Sequence, residues 1–197
     1  HDAFINRIAT NSLTIGQIED KAAALDDAIQ VGGRNLVRGT GNPYLSADYI
    51  YTTGWTRTIT PDVNTNGLIL TATNGWATFC IRRPDLAGKT ITISADVKWL
   101  SGTKMLGMGA ATYIVSNKNI AITTELTKVF VTLVVPAGDS INIGFSIRED
   151  DNMGNTTSWF VKNWKIELGN KPTDWTPAPE DVQAEIDAAS DAVNALD

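Results

Sequence analysis

The stretch Trp159-Phe-Val-Lys-Asn-Trp-Lys-Ile-Glu-Leu-Gly-Asn-Lys-Pro-Thr-Asp-Trp-Thr-Pro-Ala-Pro-Glu-Asp181 joins two kinds of sequence pattern. Residues 159–168 mix aromatic, β-branched and charged positions, as a strand with one buried face does, and Gly169-Asn170 supplies the turn that ends it. Pro177 and Pro179 then exclude further sheet pairing and suit the first turn of a helix. The stretch therefore predicts the end of a β-domain and the beginning of a helix.

Short β-like segments fill the chain before this stretch. Each is bounded by Gly, Pro, Asn or Asp, and almost no helical pattern lies between them. The candidate strands are Asn35–Arg38, Tyr44–Tyr51, Trp55–Ile59, Gly67–Ala72, Trp76–Arg83, Lys89–Leu100, Lys104–Val115, Lys118–Thr123, Lys128–Val135, Ser140–Arg148 and Ser158–Leu168. Evenly spaced short strands of this kind predict a mainly β fold, an antiparallel β-sandwich of the jelly-roll type.

Heptad patterns flank the predicted sandwich on both sides. The N-terminal apolar seam consists of Ile15, Ile18, Ala22, Leu25 and Ile29. The C-terminal seam consists of Val182, Ile186, Ala189, Val193 and Leu196. A single amphipathic helix that packs on its own domain has the same pattern, so that alternative stays open. Because both ends carry a heptad, we favour coiled-coil helices.

The two helices are too short to be stable coiled coils alone, because helix nucleation is costly. We therefore expect them to be parts of a longer shaft. Ile15 and Ile18 at the a and d positions favour three or more strands over two, whereas Ala22 and Ala189 weaken that preference. The predicted division is an N-terminal segment with a coiled-coil helix (1–31), a jelly-roll module (32–178) and a C-terminal coiled-coil helix (179–197).

The composition argues against several classes of protein. A hydrophobic content of 43% and a charged content of 19% are typical of a globular domain. The net charge of −6 argues against a nucleic-acid groove, and no apolar run approaches the roughly 20 residues that cross a bilayer. The single cysteine, Cys80, is predicted to be buried. His1 is the only histidine, so we expect neither a nucleophile–histidine pair nor a histidine-based zinc site.

Two motifs resemble a known family. Lys165–Asp181 is similar to the end of carbohydrate-binding-module-like β-sandwiches in tail-tip, baseplate and tail-fibre proteins of long-tailed bacteriophages. Gly32–Val37 resembles the Gly-Arg-Asn-Leu segment that opens those modules. The two motifs bracket residues 32–180, and they mark the edges of the fold and not a binding site.

The resemblance implies a structural protein of the phage tail, located in the virion and acting at the host cell surface. It implies other tail proteins as partners and favours a homotrimer, the common state of tail fibres. Related sandwiches often bind a structural calcium, for which Asp150-Asp151-Asn152 is the candidate loop, although a solvated acidic loop fits its spacing better. No other cofactor is expected.

Sugar recognition requires an aromatic ring against the sugar face and polar groups at the sugar's edge. Trp55 and Trp76 each follow a glycine and are predicted at a rim, although a purely structural role suits them too. We assign Trp99, Trp164 and Trp175 to the core or to a lid over it, and Trp159 to either the core or the rim. Arg82, Arg83 and Tyr113 are plausible companions of the rim tryptophans.

A polar sheet face is a second candidate for ligand binding. Ile91, Ile93, Ala95, Val97 and Trp99 alternate as a core face of one strand, and Ile141, Ile143, Phe145 and Ile147 do so on another. If these two strands are neighbours, the opposite face carries Asp96, Lys98, Asn142 and Arg148. A solvated face without a ligand is the alternative.

We therefore predict a non-catalytic tail protein that binds a host-surface polysaccharide during attachment. The alternative is a purely structural spacer, or a docking domain for other tail proteins. A glycosidase needs two carboxylates across a cleft, and nothing in the sequence brings the candidates Asp96 and Glu149 together.

Overall fold

The structure, a computed structural model, describes residues 32–39, 49–51, 54–62, 64–65, 67–111, 118–147 and 156–195, with the backbone alone at 49–51, 54–57, 74–77 and 147. This part of the chain contains nine β-strands and one α-helix. The strands are β1 (Tyr49–Tyr51), β2 (Gly54–Asp62), β3 (Gly67–Arg82), β4 (Thr90–Ser101), β5 (Met105–Ala111), β6 (Lys118–Ala121), β7 (Thr127–Val134), β8 (Asn142–Ile147) and β9 (Thr156–Leu168). A 3₁₀ turn covers Pro84–Leu86, and helix α1 covers Pro179–Asn194.

The prediction of a mainly β, antiparallel fold is confirmed, because every pair of neighbouring strands is antiparallel. The strands form two sheets that share β3. The second half of β3 belongs to the order β1-β3-β8-β5-β6. Its first half belongs to the order β2-β3-β9-β4-β7. Hydrogen bonding is therefore continuous from one sheet to the other.

The two sheets pack face to face around an apolar core. Phe145 of the first sheet contacts Trp164 of the second, with ring centroids 4.9 Å apart. Phe79 lies edge-on to Trp159 at 6.4 Å. Most of the alternating residues that the pattern assigned to the core are buried: Ile91, Ile93, Ala95, Val97, Ile141, Ile143 and Phe145. Trp99 is half-buried, and the side chain of Ile147 lies outside the described part of the chain. Cys80 is buried as predicted.

The tryptophans divide as follows. Trp159 and Trp164 are buried in the core, which settles the open assignment of Trp159. Trp99 is half-buried against the core, and its indole Nε1 donates to the carbonyl of Gly102 at 3.0 Å. Trp175 is half-buried on the loop after β9.

Two predicted local structures are wrong. The pattern ended one strand at Ala72 and began the next at Trp76, whereas β3 continues through the residues between them as one strand of 16 residues. The extra residues are accommodated because the β2–β3 register shifts between Gly54 and Thr56. Asn35–Arg38 was predicted as a strand but forms none. The backbone amide of Ile166 donates to the Asn35 side chain, at Oδ1, and not to a backbone carbonyl as it would in a strand ladder.

The predicted polar surface of β4 and β8 does not form. The two strands lie in different sheets, so Asp96 and Asn142 do not share a face. Asn142 is also buried and not outward. Arg148 lies outside the described residues.

Candidate functional site

Three segments interlock at one end of the second sheet, and we call them the clasp: residues 32–39, the end of β9 and the loop 169–178. Asn35 is fully buried at the centre of this region. Its Oδ1 accepts from the amides of Val37 at 3.0 Å and Ile166 at 3.3 Å. Its Nδ2 donates to the carbonyls of Trp164 at 3.3 Å and Thr176 at 3.2 Å. One side chain therefore joins the segment before the sandwich to its last strand and to the loop that follows.

A buried ion pair forms the second half of the clasp. The Lys165 ammonium lies 3.5 Å from the Glu167 carboxylate, and the two side chains are 1% and 0% exposed. The Lys165 ammonium also donates to Thr173 Oγ1 at 2.6 Å and to the carbonyl of Asp174 at 2.8 Å. Glu167 accepts from the amide and hydroxyl of Thr173 at 2.8 and 2.7 Å. The charges are thus paired and hydrogen-bonded, which is the condition for tolerating them in the interior.

The two sequence motifs that resemble phage tail modules coincide with this clasp. Gly32–Val37 supplies Asn35, and Lys165–Asp181 supplies the ion pair and the loop that covers it. Both motifs therefore contribute to the structure of the sandwich at this end.

Helix α1 is attached to the clasp by its first turn. Arg34 forms an ion pair with Glu180, and the amide of Gly39 donates to Asp181 Oδ2 at 2.6 Å. The pKa of Glu180 lies below its ordinary value, first because backbone amide donation at the helix start favours the carboxylate and second because Arg34 does so. Beyond this turn, α1 buries no residue against the sandwich.

The C-terminal seam is accordingly exposed. Val182, Ile186 and Val193 are 41%, 56% and 63% exposed, and Ala189 is exposed with them. This finding removes the alternative that α1 packs on its own sandwich. Leu196 and the N-terminal seam, Ile15, Ile18, Ala22, Leu25 and Ile29, lie outside the described residues.

The backbone brings Trp55 and Trp76 to one place. Gly54 pairs with Ala77 and Thr56 pairs with Thr73, so Trp55 on β2 lies opposite residues 74–76 of β3. This bulged stretch is where β3 passes from one sheet to the other. We call this stretch the tryptophan bulge. Tyr113, which was predicted as a companion of these tryptophans, lies outside the described residues.

Asp96 does not belong to the tryptophan bulge. It lies on β4, three strand positions from β2, and strands are spaced by about 4.8 Å. Its Oδ2 accepts from Asn163 Nδ2 at 2.6 Å. Asn163 has a φ of 55°, a left-handed conformation that asparagine tolerates better than most residues, at a register shift between β4 and β9. The Asp96 side chain thus stabilises the backbone at this register shift.

Arg82 lies apart from the tryptophan bulge, in a pocket of about 370 Å³ beside the clasp. We call it the arginine pocket. Four arginines line it: Arg34, Arg38, Arg82 and Arg83. The remaining lining residues are Leu36, Val37, Ile81 and Glu180. The pocket therefore combines an apolar part with a strongly basic part.

Arg83 is fixed in this pocket by three hydrogen bonds. Its guanidinium donates to both carboxylate oxygens of Asp85, at 2.8 and 2.7 Å, and to the carbonyl of Leu36 at 2.9 Å. The bidentate contact raises the pKa of Arg83 and lowers the pKa of Asp85, because each charge favours the charged form of the other.

Sequence reasoning missed the pocket and one exposed aromatic residue. The arginines at positions 34 and 38 are distant in the chain from those at 82 and 83, and no spacing connects the two pairs. Phe130 on β7 is 49% exposed, and its alternation with buried Val129 and Val131 was a usable signal for an outward ring.

Within the described ranges, no group of three His, Cys, Asp or Glu side chains is placed to hold a metal ion. The calcium candidate, Asp150-Asp151-Asn152, and Glu149 lie outside those ranges. None of the described residues belongs to a helix long and apolar enough to cross a membrane.

No protein-family model and no curated protein matches the sequence. Among solved structures, the chain is similar to the N-terminal CBM22-1–CBM22-2 tandem domain of Xyn10C from Paenibacillus barcinonensis, with a TM-score of 0.54 and 15% identity, covering 75% of this chain and 49% of that one. Another similar structure is the tripod (BppUct-A-L) of the bacteriophage Tuc2009 baseplate, with a TM-score of 0.48 and 14% identity, covering 77% and 60%. A third is the tailspike protein 4 domain of bacteriophage CBA120, with a TM-score of 0.42 and 16% identity, covering 68% and 21%.

The chain spans about half the length of the tandem domain, whose name identifies its two parts as family-22 modules. At 15% identity this likeness shows the fold. The described part of this chain is a β-sandwich with the fold of carbohydrate-binding modules.

Proposed function

We propose that this chain is part of a phage tail-fibre or tail-tip protein whose sandwich binds a host-surface glycan, without catalysis, during virion attachment. The observation that supports the glycan site is the tryptophan bulge, where Trp55 on β2 lies opposite residues 74–76 of β3. Tryptophan is the residue type whose indole ring offers the flat apolar surface that sugar rings stack on. The carbohydrate-binding-module fold supports the same ligand class.

The place in a phage tail is supported by two features of the chain. The motifs Gly32–Val37 and Lys165–Asp181 resemble modules of phage tail proteins, and α1 leaves the sandwich with its apolar seam uncovered. An apolar heptad seam that the domain does not bury is expected to pair with other helices. We propose a homotrimeric shaft, which would multiply weak glycan contacts through effective concentration. Other tail proteins would be its neighbours in the virion.

The absence of catalysis is part of the proposal. A glycosidase requires an acid and a second carboxylate about 5–10 Å apart across a cleft. Asp96, one of the two candidates, is hydrogen-bonded to Asn163 on the sheet. Incubation of the chain with host polysaccharide is expected to release no reducing ends, and their release would contradict this part.

The glycan site is tested by titrating isolated host-surface polysaccharide into the full chain by calorimetry. Trp55→Ala and Trp76→Ala are each expected to weaken binding at least tenfold, about 1.4 kcal/mol, because a stacking surface is lost. Phe130→Ala is the matched control, since it removes an exposed aromatic ring from β7 and should leave binding unchanged. Binding that survives both tryptophan substitutions and fails in the Phe130 variant would move the site to β7.

The second candidate function is a structural spacer or a docking domain for other tail proteins. It is favoured by the finding that both resembling motifs form the clasp and therefore stabilise the fold. A glycan array and a host-cell binding assay that are both blank, with the oligomer intact by light scattering, would favour the spacer and contradict the glycan site.

A further inference from the structure

The arginine pocket concentrates positive charge on a chain that is acidic overall. Four guanidinium groups and the one carboxylate of Glu180 line it, a formal charge of +3, whereas the whole chain carries −6. Two further carboxylates lie near, and both have partners: Asp85 binds Arg83, and Asp181 accepts from the amide of Gly39. With these two carboxylates counted, four guanidinium groups face three carboxylates, which leaves a formal charge of +1.

The arginines are held in place by different parts of the fold. Arg83 is fixed by Asp85 and the carbonyl of Leu36, and Arg34 is fixed by its ion pair with Glu180. Arg38 and Arg82 are exposed at the pocket, one from the segment after the clasp asparagine and one from the end of β3. Donors held by other contacts lose less conformational freedom when a ligand binds.

The pocket also has the size and the mixed lining of a small-ligand site. Its volume of about 370 Å³ lies near the lower end of the range for such sites. Leu36 is a half-buried apolar residue of the lining, and it suits the carbon face of a ligand. The planar guanidinium group matches two oxygens of a carboxylate or a phosphate. The first turn of α1 adds the positive end of a helix dipole.

We propose that the arginine pocket binds an anionic group, a carboxylate or a phosphate, carried by a unit of the host glycan. This inference rests on the proposed glycan-binding function for the origin of the ligand and assigns its chemical class. Arg38 and Arg82 contact the anion from the exposed side, and Arg83 presents the fixed side of the pocket. The carboxylate of Glu180 repels a second negative charge of the ligand beside Arg34. The same carboxylate accepts a hydrogen bond from a hydroxyl group of the ligand.

The test is a calorimetric titration of the full chain with three probes. They are an oligosaccharide that contains glucuronic acid, the same oligosaccharide with its carboxyl groups reduced to alcohols, and glycerol phosphate. The variant is Arg38→Gln/Arg82→Gln, and the control is Lys118→Gln/Lys171→Gln, which removes the same charge from exposed residues outside the pocket lining. Comparison of the arginine variant with the lysine variant separates the effect of the pocket on affinity from the effect of the net charge of the chain.

The expected result is that one anionic probe binds and loses at least tenfold in affinity in the arginine variant, but less than twofold in the lysine variant. Comparison of the acidic oligosaccharide with glycerol phosphate shows whether the pocket accepts a carboxylate or a phosphate. Glu180→Gln is expected to increase affinity for the anionic probe two- to fivefold, because a like charge is removed. A gain of binding cannot come from misfolding.

Three outcomes overturn the inference. They are equal losses in the arginine and lysine variants, no binding of either anionic probe at millimolar concentration, and equal affinity for the acidic oligosaccharide and its reduced form. In the last case the Trp55 and Trp76 variants still decide the proposed glycan site, so the two proposals fail separately. Binding of glycerol phosphate with a blank glycan titration would support the anion site and contradict the proposed function.

Discussion

The clasp and helix α1 are neighbours in the chain and use their residues in opposite ways. In the clasp, polar and charged side chains are buried: Asn35, Lys165 and Glu167 are all at most 1% exposed. In α1, apolar side chains are exposed, with Ile186 at 56% and Val193 at 63%. The boundary between the two regions lies at Ala178, which is buried, just before the first turn of the helix.

This difference shows where each region finds its partners. The buried side chains of Asn35, Lys165 and Glu167 find their hydrogen-bond and ion-pair partners within the clasp itself. The helix exposes a seam that nothing in the described chain covers, and burial of such a seam against other helices is what would stabilise it. Clasp substitutions should therefore act on the stability of the sandwich, and seam substitutions should act on assembly.

The largest expected effect is that of Glu167→Ala. It leaves the Lys165 ammonium and two donors of Thr173 without their carboxylate in a buried site. We expect a loss of about 3–5 kcal/mol in the free energy of unfolding, measured by urea denaturation. Glu125→Ala, on an exposed loop, should change it by less than about 0.5 kcal/mol. A loss below about 1 kcal/mol for Glu167→Ala would contradict the account of the clasp.

A somewhat smaller effect is expected for Asn35→Ala. The substitution removes four hydrogen bonds and leaves buried backbone groups of Trp164 and Ile166 without their side-chain partner. Since an unsatisfied buried group costs about 1–3 kcal/mol, we expect a total loss of about 2–4 kcal/mol after local relaxation. The exposed turn residue Asn64 provides the control, because Asn64→Ala removes no buried side chain. Equal stability of the two variants would show that Asn35 is not a structural centre.

Adjacent glycines in the clasp provide a matched pair with a moderate effect. A Cβ atom added at Gly32 would lie 2.1 Å from the carbonyl oxygen of Leu168, whereas one added at Gly33 meets nothing within 4 Å. Gly32→Ala should destabilise the sandwich by about 1–3 kcal/mol through overpacking. Gly33→Ala should be neutral or slightly stabilising, because it restricts the unfolded chain. Thermal unfolding followed by tryptophan fluorescence would show the order, and a reversed order would contradict the packing of residues 32–39 on β9.

The smallest expected effect on the sandwich is that of Ile186→Asp. This residue is exposed and contacts no part of the core, so sandwich unfolding measured on the isolated monomer should change by less than about 0.5 kcal/mol. The same variant should lower the oligomeric state measured by light scattering, because a charge in a heptad seam opposes helix pairing. Ala188→Asp, off the seam on the same helix, is the control. An oligomer that persists in Ile186→Asp would show that the C-terminal seam does not hold the assembly.

The local sequence pattern predicted most of the strands and the C-terminal helix, but it did not predict which strands lie next to each other. Alternation on Lys89–Leu100 identified the core residues Ile91 and Ile93, because burial of one face follows directly from the two-residue period of a strand. The same pattern placed Asn142 on a surface, and it is buried. Which face of a strand meets solvent depends on the strands beside it, and strand order is not a local property.

The site residues show the same limit. Glycine before Trp55 and Trp76 predicted both residues at a rim without connecting them, and the β2–β3 register places Trp55 opposite residues 74–76 of β3. Arg82 was grouped with these tryptophans and lies in the arginine pocket, because the end of β3 runs toward the clasp. Asp96 was grouped with a binding face and instead holds Asn163 at an irregular point of the sheet.

The sequence by itself determined the strands, the alternating core, the boundary near Ala178 and the apolar seam of α1, since each depends on residues within a few positions of one another. The tertiary structure alone decided that β3 serves two sheets, that Lys165 and Glu167 form a buried pair, and that two distant arginine pairs line one pocket. These features depend on contacts between segments far apart in the chain. Only chain folding sets such contacts, because no local period encodes which strand lies next to which.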